Sequence, residues 1–89
     1  MLECKFEIKD NKLVKKSNGE AIPEDEPVFI LRGRDHLAVS LLQCYYSLSV
    51  QDGCNDYHME MLLRSIKGFQ DFADKHPERM KQPSITRGV

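Results

Sequence analysis

Two guanidiniums flank a glycine in Arg32-Gly33-Arg34-Asp35-His36, directly ahead of an apolar stretch with helical spacing. Arginine presents a planar fork of N–H donors that fits a phosphate. A helix start adds free backbone N–H groups and a partial positive charge. That chemistry holds an anion; it does not break bonds. A second basic set lies near the C-terminus, where His76, Arg79, Lys81 and Arg87 face a single acid, Glu78. Such a segment either closes over an anionic ligand or partner, or is a solvated tail. Arg32 and Arg34 also have a structural reading, as ion-pair partners of Asp35 or of the four acids within residues 20–26. Asp35 reads as an N-cap, which competes for the N–H groups an anion needs.

Catalytic readings fail on spacing. His36, His58 and His76 form no His-x-x-x-His or His-Glu-x-x-His pair, and no glycine-rich phosphate loop is present. The three cysteines, Cys4, Cys44 and Cys54, form no Cys-x-x-Cys pair, so zinc and dithiol chemistry are not expected. Nothing marks Cys44 or Cys54 with His58 as a nucleophile and its base. The expectation is a non-enzymatic binding protein with no metal and no cofactor. An odd number of thiols and no secretion signal point to a reducing, cytoplasmic setting. The longest uncharged stretch, His36 to Gln51, is too short and too polar for a membrane span. A net charge of −1 in 89 residues argues against nucleic acid as the ligand.

The elements that must position these residues follow from periodicity. Cys4, Phe6 and Ile8 alternate with Glu3, Lys5, Glu7 and Lys9, which predicts a half-buried strand. Asp10-Asn11-Lys12 turns the chain, Leu13–Lys16 pairs back, and Ser17-Asn18-Gly19 is a second turn. Val28-Phe29-Ile30-Leu31 reads as a central third strand, buried on both faces. Leu37, Ala38, Leu41, Leu42, Tyr45 and Leu48 then form the core stripe of a first helix capped by Asp35. A second helix, about Asp56 to Asp74, buries Met59, Leu62, Leu63, Ile66, Phe69 and Ala73, and Pro77 ends it. The expected class is α+β: a three-stranded antiparallel meander on a helical hairpin. Residues 1–81 form one domain and 82–89 an extended arm.

The first helix carries no formal charge. Its polar line is His36, Ser40, Gln43 and Ser47, while Val39, Cys44 and Tyr46 lie off the core stripe. A helix without a charged face is normally covered on more than one side. Val39, Ser40, Gln43 and Ser47 are therefore the expected contact with a second copy of the chain, although a solvent stripe or a pocket lining are the other readings. Tyr45 reads as structural. Tyr46 is the better aromatic for a ligand's base.

Two stretches carry a resemblance. Asp25-Glu26-Pro27-Val28-Phe29-Ile30-Leu31-Arg32-Gly33-Arg34-Asp35-His36-Leu37-Ala38 resembles a segment of small, uncharacterised proteins encoded by tailed bacteriophages and prophages. His76-Pro77-Glu78-Arg79-Met80-Lys81-Gln82-Pro83 is similar to their C-termini. The resemblance implies a phage origin and the bacterial cytoplasm. Short phage proteins of this kind are often counter-defence factors, some of them oligomeric sponges for nucleotide-type signals. The expected ligand set is Arg32, Arg34, His36, Tyr46, Arg79 and Lys81 around an anionic nucleotide-type molecule. The rival expectation is an inhibitor or adaptor of a host protein, with a nucleic-acid-binding regulator third.

Overall fold

β1 (Phe6–Lys9) and β2 (Lys12–Lys15) pair antiparallel, with Phe6 opposite Lys15 and Lys9 opposite Lys12. Asp10 and Asn11 join them at φ 53° and 63°. Two successive left-handed residues are what a two-residue type I′ turn demands, and Asp and Asn tolerate that region better than most. Gly19, at φ 72°, makes the second turn and donates to the Lys15 carbonyl at 2.7 Å. The computed structural model describes residues 5–82, so Glu3, Cys4 and Arg87 lie outside the described residues, as does residue 83 onward of the expected arm.

The class is α+β, with a two-stranded sheet and two helices; the expected third strand is absent among the described residues. Residues 20–22 already occupy the free edge of β2. Lys15 N donates to Glu20 O and Ile22 N to Leu13 O, both at 2.9 Å, and Val14 bridges Ala21. Pro23 and Pro27, which have no amide donor, then carry the chain away from that edge. Val28, Phe29 and Ile30 run on outside any strand, and Phe29 is 81% exposed. The face-by-face expectation for β1 is corrected with it. Phe6 is half-buried, but Ile8 is 67% exposed because no further strand or helix of the described residues covers its end of the hairpin.

α1 (Ala38–Asp52) and α2 (Asp56–Lys75) form the helical hairpin. Gly53, at φ 73°, ends α1 in the left-handed conformation, and its N–H and that of Cys54 return to the carbonyls of Val50 and Ser49. Asn55 caps α2 by accepting from His58 N at 2.9 Å. Glu60 and Arg64 pair at 3.0 Å on the wet face of α2, as their spacing predicts. Pro77 follows α2 closely and opens a single 3-10 turn, Pro77–Arg79.

Three expectations about the helices are corrected. Asp35 does not cap α1: its Oδ1 accepts from Leu37 N at 2.8 Å in the turn before, and α1 begins at Ala38 with no side-chain cap. The α2 stripe is rotated, with Leu63 49% exposed while Met61 and Ser65 are buried beside Leu62, Ile66 and Phe69. Most of the α1 stripe is outside the core. Ala38 and Ser49 are the buried residues of α1, whereas Leu37, Leu41, Tyr45 and Leu48 are about half exposed. Small side chains at 38 and 49 let the helices approach closely, and that approach turns the leucines to one flank.

Leu62 is 1% exposed at the centre of the contact. Leu62→Ala is expected to cost about 2–5 kcal/mol in urea unfolding, against under about 1 kcal/mol for Leu63→Ala. Asn55→Ala is expected to cost about 1 kcal/mol through the lost cap. Equal losses at 62 and 63 would contradict this packing.

Candidate functional site

Residues 32–36 and 76–81 form one seam. Lys81 N donates to Arg34 O at 2.7 Å and His36 N to Lys81 O at 3.0 Å, a parallel bridge between Asp35 and Lys81. The seam exists because antiparallel helices of similar length bring the approach to α1 beside the exit of α2. Beneath it, Phe72 lies against Gly33, where an added Cβ would stand 3.4 Å from the ring. The Arg79 guanidinium lies over the other part of this cluster, 4.7 Å from the Phe72 ring centroid, and His76 packs on the same ring at 5.1 Å.

This arrangement joins Arg32, Arg34, His36, Arg79 and Lys81 through backbone bonds and one aromatic ring. Arg34 is half-buried, and the other four are exposed. None of Arg32, Arg34, Arg79 and Lys81 has an acid within salt-bridge distance among the described residues, whereas Lys67 pairs with Asp71 and His76 faces Glu78. The expected alternative, ion pairs from Arg32 and Arg34 to Asp35 or to residues 20–26, is not made. A guanidinium held over an aromatic ring can still offer N–H donors to an oxyanion. Tyr46 is not brought to the seam. It is half-buried on α1, eight residues beyond Ala38, or about 12 Å of helical rise. Ser40, Gln43 and Ser47 are exposed on the face of α1 turned away from α2, with Val39 half-buried beside them.

Sequence reasoning missed two features. The first is an apolar cleft of about 220 Å³ between the hairpin, residues 26–31 and the helices. Phe6, Leu13, Phe29, Tyr45, Leu62 and Phe69 line it, and among the described residues Glu26 is the one charged residue in its lining. It exists because the expected strand does not close over the helices. The second is a polar node at His58. Nδ1 lies 3.0 Å from Lys5 Nζ, Nε2 lies 3.3 Å from Ser49 Oγ, and the ring meets Tyr45 edge-on at 5.7 Å. An ammonium group only donates, so Nδ1 accepts, and in the neutral ring the proton sits on Nε2 and points at Ser49. His58 in that tautomer cannot take a proton from Ser49, which is itself buried. With both ring nitrogens occupied, neither Cys44 nor Cys54 is paired with this histidine. The signal was legible: residues 49 and 58 are equidistant from the interhelical turn, which is where a helical hairpin makes contacts.

Among the described residues no three His, Cys, Asp or Glu side chains are grouped to hold a metal ion, and no helix is long and apolar enough to cross a membrane. The chain matches no known protein family, no curated protein and no solved structure.

The His58 node is expected to act as a structural clamp. His58→Ala strands the buried Ser49 hydroxyl and is expected to cost about 1–3 kcal/mol, most of it recovered in the Ser49→Ala, His58→Ala double variant. Additive losses in that denaturation cycle would contradict the clamp.

Proposed function

We propose that this chain is a homo-oligomeric binding protein without turnover, which holds a phosphate-bearing, nucleotide-type anion at the seam of residues 32–36 and 76–81. One observation carries the reading: four cationic side chains are held on two backbone-bridged segments with no acid paired to them among the described residues. Like charges held close together repel, and an anion relieves that repulsion. Arg34 and Arg79 supply forked donors, Arg32 and Lys81 add charge, and His36, bonded through its backbone to Lys81, offers a ring for a base. The start of α1 adds its dipole, with no acid in its first turn, while the Asp35 carboxylate just before it takes only Leu37 N. The resemblance to small phage and prophage proteins supports the same class of role, sequestration of a host signal in the bacterial cytoplasm.

A second reading has its own observation. The half-exposed leucines of α1 and the uncovered residues 28–30 suit a host-protein target, which the chain would block as an inhibitor or adaptor. Binding of DNA or RNA is the weaker third reading at a net charge of −1.

Thermal unfolding against cyclic di- and trinucleotides and ADP-ribose isomers tests the first reading. A ligand at a hundred times its Kd adds about 2.7 kcal/mol, or roughly 10–20 °C for a domain of this size. The Arg34→Ala, Arg79→Ala double variant is expected to lose most of that shift. No shift with any of these compounds at millimolar concentration would overturn the anion reading. A stoichiometric protein retained from bacterial lysate in high salt, with no such shift, would favour the second.

A further inference from the structure

Among the described residues, large apolar side chains are more often exposed than buried. Among the described residues, Val14, Met61, Leu62, Ile66 and Phe69 are buried, whereas eleven large apolar side chains are exposed. The exposed ones are not scattered. Val28 and Ile30 line both the cleft beside the helices and a second cleft under the hairpin. Tyr45 lines the first of these and also a third cleft that reaches Leu48. Leu41 stands one turn before Tyr45 on the same flank of α1. Apolar side chains thus run from residues 28–30 across Tyr45 to the leucines of α1, with Gln51 and Asp52 bordering the far end.

We propose that a second copy of this chain covers this face, with α1 packed antiparallel on its symmetry mate and the two-fold axis passing near Cys44, midway between Leu41 and Leu48. Charge supports a self-contact. No charged residue lies between His36 and Gln51, so two identical α1 flanks meet without repulsion, and Glu26 and Asp52 stand only at the margins of the face. Area supports it as well. Val28, Phe29, Ile30, Leu41, Tyr45 and Leu48 are 47–81% exposed. At roughly 200 Å² for a fully exposed large apolar residue they offer about 700 Å², close to the ~800 Å² that each partner contributes to a stable interface. The backbone supports a role for residues 28–30. They carry β-forming side chains and sit outside the sheet, so in an isologous contact they are free to flank the partner's helix. The contact uses the leucine flank of α1. The Ser40, Gln43 and Ser47 line stays in solvent. This inference rests on the self-association in the proposed function and is independent of the anion.

Multi-angle light scattering on the full chain tests it. The wild type is expected at twice 10.3 kDa. Leu41→Glu with Leu48→Glu is expected to run as a monomer with unchanged helical circular dichroism. Ser40→Glu with Ser47→Glu is expected to remain dimeric. Because charged variants can unfold, a second readout uses the wild type alone: alkylation of Cys44 by iodoacetamide, resolved by mass spectrometry, should slow at least about tenfold between dilute and concentrated protein. Cys54, half-buried at the interhelical turn, should change little. A monomeric wild type at high concentration overturns self-association altogether. A dimer that survives the leucine changes, is lost with the serine changes, or leaves Cys44 equally reactive overturns this interface alone. Thermal shifts on the same variants report separately whether the seam still binds its anion.

Discussion

The close approach of α1 and α2 is the contact on which the rest of the molecule depends. Leu62, Ile66 and Phe69 bury themselves there, and Ala38 and Ser49 give them room by being small. An isolated two-stranded hairpin is marginal in water, and the hairpin here is tied to the helices by side chains, among them Lys5 at His58. The helical pair therefore sets where everything else can lie.

Two consequences follow from that pairing. Because the helices run antiparallel from a tight turn at Gly53, the approach to α1 and the exit of α2 end side by side, and the backbone bridge at Asp35 and Lys81 joins them. Basic residues far apart in the chain become neighbours for this reason. Because α2 meets the small residues of α1, the leucines at 37, 41 and 48 are rotated to the flank, where the other described residues leave them about half exposed. A domain of this size has little surplus burial, so an uncovered flank of leucines is a substantial cost to a monomer.

Much of this architecture is legible in the sequence where local chemistry decides. Asp10-Asn11 and Gly19 mark the turns, Gly53 and Asn55 the interhelical joint, and the charges at 60, 64, 67 and 71 the wet face of α2. What fails depends on distant geometry. An apolar run such as Val28–Leu31 has the composition of a buried strand whether or not an edge is free to receive it, and residues 20–22 had taken the edge of β2. The apolar residues of α1 cover most of the helix circumference, so periodicity cannot say which of them faces α2. The basic residues at 32, 34, 79 and 81 stood out by type. Their meeting was not visible, because it needs the length of both helices and the direction of the turn.

In the proposed dimer this fold is completed by a second copy of itself on the leucine flank of α1. Melting temperature as a function of protein concentration tests it most directly, since a fold coupled to dimerisation gains stability by mass action. For the dimer, the melting temperature is expected to rise steadily as the protein is concentrated from micromolar to millimolar. A melting temperature that stays constant across that range would contradict it.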